Sequence, residues 1–231
     1  MYLIRGIQNI DLFKSRYPDE DLIATIGNFD GLHLGHQNIL KNMNDEAMEK
    51  GWKRLVIFTE PHAREYFAQS KGRSSEKPPR IFPWSEKFIR LKEIGIDFAF
   101  FLNFDTQLRA MTPERFLEEV LLKLGIKKIV IGDDFRFGAN REGDFKFLKD
   151  WGKANGIEVV NTETYEIDKK RVSSTRIREA LTNNQFKEAE ELLGRPYTFS
   201  GKIVYGQQLG TQLGAPTANV WLPKNKLPCA G

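Results

Sequence analysis

Residues 22–40, Leu-Ile-Ala-Thr-Ile-Gly-Asn-Phe-Asp-Gly-Leu-His-Leu-Gly-His-Gln-Asn-Ile-Leu, constrain the fold more than any other stretch. Leu22 to Ile26 are apolar or β-branched, which suits a buried strand. Gly27, Asn28, Asp30 and Gly31 then interrupt the strand with turn-forming residues. An apolar helical pattern resumes at Ile39 and Leu40, so a helix is predicted over 37–50, ended by Gly51. Strand, glycine-rich turn and helix start aim free backbone N–H groups and the positive end of a helix dipole at an anion. His33 and His36 lie three apart with Gly35 between them, and they are two of only three histidines in the chain. Imidazoles at i and i+3 share one face beside such a cradle. The plain structural alternative is a sharp βα turn with surface histidines.

The remainder of the chain keeps the same rhythm. Strands are expected at 54–59, 98–102, 128–131 and 158–161, and helices at 84–94, 113–124 with Thr112 as N-cap, 145–155 and 175–182. Strands alternating with helices indicate an α/β fold with a parallel sheet covered on both faces. In such folds ligands collect beyond the carboxyl ends of the strands, where the turns at 27–36, 59–64 and 132–144 would lie. Residues 69–80, rich in Ser, Lys and paired prolines, read as a mobile loop. After Leu193 the pattern changes to Gly- and Pro-punctuated, strand-like pieces such as Lys202-Ile203-Val204-Tyr205. This looks like the opening of an all-β module too short to bury a core of its own.

Charge and cysteine content narrow the classes. With 35 Lys and Arg against 31 Asp and Glu, the chain is mildly basic at +4, which suits anionic ligands. Its basic residues are scattered rather than massed in a stripe, so nucleic-acid binding is unsupported. Cys229 stands alone, which excludes an intramolecular disulfide and a cysteine-based metal site. The N-terminal residues lack a signal-peptide core, and the longest apolar run, Phe98 to Leu102, is far too short to cross a bilayer. No membrane partner and a reducing, cytoplasmic setting are the expectation.

Two further stretches carry chemistry. In Val172-Ser173-Ser174-Thr175-Arg176-Ile177-Arg178, the hydroxyls suit a helix N-cap. Arginines in a first turn oppose the helix dipole, where an acidic residue would stabilise by roughly 0.3–1 kcal/mol. Capping hydroxyls, free N–H groups and these cations together favour a triphosphate site. The stretch from Gly132 to Asp144 mixes Phe135 and Phe137 with Arg136, Arg141 and carboxylates including Asp134. It reads equally as a glycine-punctuated surface loop or as a seat for a planar ring bearing a phosphate.

Together these stretches resemble the bacterial bifunctional riboflavin kinase/FMN adenylyltransferase (FAD synthetase) family. Gly27 to His36 is similar to the signature of its adenylyltransferase module, including the HxGH element of the wider nucleotidyltransferase superfamily. Ser173 to Arg178 resembles that superfamily's second phosphate-binding signature, and the 132–144 loop the family's flavin-site loop. The resemblance continues through Pro79-Arg80-Ile81, Phe104-Asp105 and Leu193 to Tyr197, and ends in Leu213 to Asn219, similar to the kinase PTAN motif. Departures occur at Phe58 to Ala63, where the family commonly has Thr-Phe before Glu/Asp-Pro-x-Pro, at Ala215, where an aromatic is usual, and at Thr211, where an arginine is common.

The resemblance implies a Rossmann-like nucleotidyltransferase domain over 1–186, followed by a linker and the start of a riboflavin kinase-like barrel over 187–231. It implies AMP transfer from ATP to FMN, giving FAD and pyrophosphate. His33, His36, Ser174, Thr175 and Arg178 would be catalytic; Gly27, Asn28, Phe29, Asp30, Gly35, Ser173 and Arg176 would bind nucleotide. Asp134, Phe137 and Arg141 are the flavin-side candidates. Mg²⁺ would arrive on ATP, with no metal ligands in the first domain. Thr217 and Asn219 belong to the kinase part, whose remaining strands the resemblance implies beyond Gly231, so no riboflavin phosphorylation is expected of this chain. The rivals are another HxGH nucleotidyltransferase, or a catalytically silent protein that binds flavin or nucleotide.

Overall fold

The computed structural model describes the whole chain except residues 74–76, 199, 206–213, 215–216, 222–227 and 229–231. Cys229, Thr211, Ala215 and part of the 69–80 loop therefore lie outside the described residues. Six strands form one sheet: β1 (Tyr2–Arg5), β2 (Leu22–Ile26), β3 (Lys53–Glu60), β4 (Phe98–Asn103), β5 (Ile126–Gly132) and β6 (Glu158–Thr162). Their order is β1-β4-β3-β2-β5-β6, and every pairing is parallel. The expected parallel α/β sheet is present, with β1 an edge strand that no sequence signal had indicated.

Helices cover both faces, and the strands divide their side chains between them. Leu55 and Ile57 enter one core with Leu22, Ala24, Phe98 and Phe100, whereas Val56 and Phe58 enter the other with Ile23 and Ala99. Side chains alternate along a strand, so a run apolar at every position can only be satisfied by burial on both faces. The first core is closed by α1 (Ile10–Arg16), α5 (Thr106–Ala110), α6 (Pro113–Phe116) and α7 (Phe145–Ala154). The second is closed by α2 (Leu34–Lys50) and α4 (Trp84–Glu93). Thr112 caps α6 as expected, its hydroxyl accepting from the Arg115 amide at 3.3 Å. The chain then continues as a π-helical segment, Leu117–Leu122.

A third apolar cluster joins Ile81 and Phe82 to α8 (Ser174–Thr182) and α9 (Phe186–Leu193). Helix α9 and helix α3 (Ala63–Ser70) were not foreseen. In α3 the signal was a cap: His62 accepts from the Arg64 amide at 3.0 Å, and Glu65 accepts from the His62 amide at 3.1 Å. That is a capping box built with imidazole in place of a hydroxyl. Two small antiparallel strand pairs are also described, β7 (Glu166–Ile167) with β8 (Lys170–Arg171), and β9 (Lys202–Val204) with β10 (Asn219–Trp221). Thr217 and Asn219 are exposed, and Asn219 pairs with Val204.

Candidate active site

The chain runs from β2 outward through β3 and β4 on one side, then returns to place β5 on the other side of β2. The loops leaving β2 and β5 therefore part company at adjacent strand ends, and the crevice this opens is where an open parallel sheet binds ligands. A cavity of about 530 Å³ occupies it. Its lining contains the 27–36 turn, the 133–138 loop, residues 62–64 after β3, and the 171–175 segment with Arg178. Two motifs nearly 140 residues apart in sequence thus face one space.

The histidines are packed against each other. Helix α2 begins at Leu34 with His33 as its N-cap, three residues earlier than the apolar pattern indicated, because His33 Nδ1 accepts from the His36 amide at 3.4 Å. The two rings stack with centroids 3.7 Å apart, and His36 also meets Phe29 at 4.9 Å. Burial, then the Arg171 charge, lowers His33 to about 4. Burial, then the His33 and Lys87 charges, holds His36 well below the usual imidazole value. Both rings are therefore neutral at pH 7. With Nδ1 of His33 accepting, its proton sits on Nε2, leaving an N–H donor for the cavity. His36 Nδ1 is buried with no partner among the described residues, a cost that a ligand can remove.

Ser173 caps α8, its hydroxyl accepting from the Arg176 amide at 3.3 Å. Ser174 Oγ donates to the Asp30 carbonyl at 2.9 Å and so ties the second motif to the first. Asp30 is buried; its carboxylate accepts from the Ile81 and Phe82 amides and pairs with Arg178 Nη2 at 2.6 Å. Arg176 pairs with Glu188 on α9 at 2.8 Å and does not line the cavity. The two arginines that looked misplaced at a helix start are thus partnered within the chain. Only Arg178 of the two reaches the cleft.

Of the residues expected on the flavin side, Phe137 is buried, stacked on Phe135 at 5.5 Å and near Phe116 at 5.6 Å. Leu102, Phe104 and Leu108 extend this apolar wall. Arg141 lines the cavity from a backbone with φ +62°, and Asp134 pairs with Arg171 Nη2 at 3.0 Å. The lining thus combines an aromatic wall with a cluster of donors and cations.

Three lining or supporting residues were missed in sequence. Arg171, two residues before the capping serine, lines the same cavity, and its charge acts on both imidazoles; its position just ahead of Ser173 was the available signal. His62 lines the cavity, and burial lowers it to about 4. Lys87 lies buried behind the turn, donating to the Asn28 carbonyl at 2.6 Å; helical periodicity alone assigns such a residue to a solvent face.

Residues 16–176 match the family described as FAD synthetase. The chain belongs to the FAD synthetase family. Residues 193–231 match the riboflavin kinase family, so the sequence carries an FAD synthetase domain followed by kinase-type sequence. The bifunctional riboflavin kinase/FMN adenylyltransferase of Escherichia coli K12 is 40% identical over 232 residues, covering 100% of this chain and 71% of that protein. The enzyme of the same name from Pseudomonas fluorescens is 39% identical over the same span and shares. A crystal structure described as a macrolide-efflux protein from Streptococcus pneumoniae superposes with a TM-score of 0.79 at 27% identity, covering 100% of this chain and 73% of that one. Among the described residues of this family member, no helix is long and apolar enough to cross a membrane.

Proposed function

We propose that the cleft transfers AMP from ATP to FMN. The observation that supports this most directly is that both imidazoles, Ser174, Thr175 and Arg178 line one cavity whose other wall is aromatic. In this reading a phosphate oxygen of FMN attacks the α-phosphorus of ATP, the α–β bridging P–O bond breaks, and pyrophosphate leaves. Such displacements need positioning and charge stabilisation more than covalent chemistry. Neutral His33 and His36 donate hydrogen bonds to triphosphate oxygens as charge builds on them. Ser174, Thr175 and Arg178 hold the β- and γ-phosphates, joined by Arg171. Gly27, Asn28, Phe29 and Asp30 shape the turn, and Gly35 and Ser173 flank the nucleotide. Phe137 and Arg141 face the flavin, with Asp134 orienting Arg171.

Mg²⁺ belongs to the same proposal. Among the described residues no group of three His, Cys, Asp or Glu is arranged around a common metal position, so phosphate oxygens and water would supply its ligands. A cytoplasmic setting, where ATP is held, and a division into an adenylyltransferase unit over 1–186 and a linker with kinase-type sequence over 187–231 complete the reading.

The test mixes the protein with ATP, Mg²⁺ and FMN and follows pyrophosphate and FAD. His36→Ala should lower kcat by about 10²–10³-fold, the cost of deleting one preorganised donor, and leave the FMN dissociation constant within about twofold. Unchanged turnover removes His36 from the mechanism. Pyrophosphate release with pantetheine phosphate or nicotinamide mononucleotide, and not with FMN, would mark a different HxGH nucleotidyltransferase. ATP and FMN binding without pyrophosphate release would mark a silent binding protein.

A further inference from the structure

The turn that faces the triphosphate is held in a backbone conformation it would not keep by itself. Phe29 has φ +48°, Gly31 +83° and Leu32 +42°. For Phe29 and Leu32 the left-handed region is disfavoured by side-chain sterics, and such residues persist only where surroundings over-determine them. The over-determination is visible as a set of captured carbonyls. Lys87 Nζ reaches Asn28 O at 2.6 Å, and Ser174 Oγ reaches Asp30 O at 2.9 Å. Arg195 Nη2 donates to Gly31 O at 2.7 Å while its Nη1 donates to Leu32 O at 3.2 Å. The hydrogen bonds found among the described residues use the carbonyls of this turn and leave the N–H groups of residues 28–32 unspent. Carbonyls drawn to the back of the turn keep their negative ends away from a polyanion and leave the N–H groups for it.

Of these anchors, Arg195 comes from the furthest point in sequence. It lies outside the 16–176 match and inside the stretch that matches riboflavin kinase. Its guanidinium is fixed over the Phe82 ring at 5.2 Å and by Leu193 O at 3.0 Å, and it forms no ion pair with a carboxylate among the described residues. A planar fork can bridge two successive carbonyls, which a lysine ammonium cannot do with the same geometry. Gln37 adds a parallel tie, donating to Leu32 O at 2.7 Å and Leu193 O at 2.8 Å.

We propose that Arg195 is a positioning residue for adenylyl transfer, through which the segment leading into the kinase-type sequence sets the shape of the nucleotide turn. This rests on the function proposed above. Loss of the fork frees the Gly31 carbonyl and leaves the Leu32 carbonyl to Gln37 alone, lets the turn relax, and shifts His33, the residue after Leu32. A displacement of about 1 Å at reacting groups costs on the order of 10²-fold in rate.

The test compares wild type, Arg195→Lys and Arg195→Ala in the full chain. Arg195→Ala should lose roughly 10- to 100-fold in kcat and bind ATP more weakly, with KM for FMN within about twofold. Guanidinium ion at non-denaturing concentration should restore part of its kcat, and methylammonium should not. Should Arg195→Ala fail to fold, Arg195→Lys is decisive: it should lose kcat while its circular dichroism matches wild type. A folded variant with wild-type kcat and ATP affinity overturns the proposal. ATP affinity by titration calorimetry separates the two readings. A wild-type chain that binds ATP but makes no FAD sinks the function above, whereas an active wild type matched in both kcat and ATP affinity by its folded variants sinks the role of Arg195.

Discussion

The folded chain should lose stability when acidified through a window that belongs to its histidines. Burial holds His33 at about 4 against an ordinary 6.5, and holds His36 well below the ordinary imidazole value, its ring stacked 3.7 Å from His33. Between these pH values the unfolded chain binds protons that the folded chain refuses, so stability is complete above pH 6.5 and falls as pH drops towards 4. Each refused proton contributes about 1.4 kcal/mol per pH unit, which gives His33 alone about 3 kcal/mol over the window. His36 adds to the same slope, and His62, lowered to about 4 but nearer solvent, adds less. The carboxylates held low by their cationic partners, Glu46, Glu65 and Asp97, add their own loss only below about pH 5, where the unfolded chain begins to protonate them, so the histidine slope is read above that. Urea denaturation followed by tryptophan fluorescence, from about pH 7.5 to about pH 4.5, measures the slope directly. The expectation is no change above pH 6.5 and then a fall of roughly 3 kcal/mol per pH unit, the slope of two refused protons. A His33→Asn variant should show a shallower fall. Stability constant to within about 0.5 kcal/mol across the window would refute the claim that the imidazoles are buried and neutral.

Two other perturbations follow from the packing. Asp30→Ala removes the partner of Arg178 and the acceptor of two backbone amides, and should cost about 3–5 kcal/mol in thermal or chemical denaturation. At Gly143, an added Cβ would come within 2.6 Å of the Phe137 ring. Gly143→Ala should therefore displace Phe137 and raise KM for FMN about 3- to 10-fold while KM for ATP stays within twofold; steady-state kinetics with each substrate varied in turn checks this.

The strands of the core were legible in the sequence because burial on both faces demands runs such as Arg-Leu-Val-Ile-Phe-Thr that little else explains. Helices α3 and α9 were not legible. Helix α3 depends on an imidazole cap outside the usual capping set, and α9 is short, its apolar residues gaining meaning only against Ile81 and α8. Residue type and spacing singled out the histidine pair and the serine-capped helix start, and both line the one cavity. Arg176 shows the boundary of that reasoning: its type and position suited a phosphate, but the ion pair with Glu188 turns it towards α9.

Local chemistry by itself therefore determined the alternation of strand and helix, the turn residues of 27–31 and the capping hydroxyls at 173–174, because each depends on neighbours within a few positions. That the turn and the capped helix face one cavity, that the imidazoles stack and stay neutral, and that Lys87, Ser174 and Arg195 seize the carbonyls of a left-handed turn were decided only by the tertiary structure. The reason is physical: the crevice exists because β5 returns to the far side of β2, and hydrogen bonds spanning 59 to 164 residues leave no trace in local periodicity.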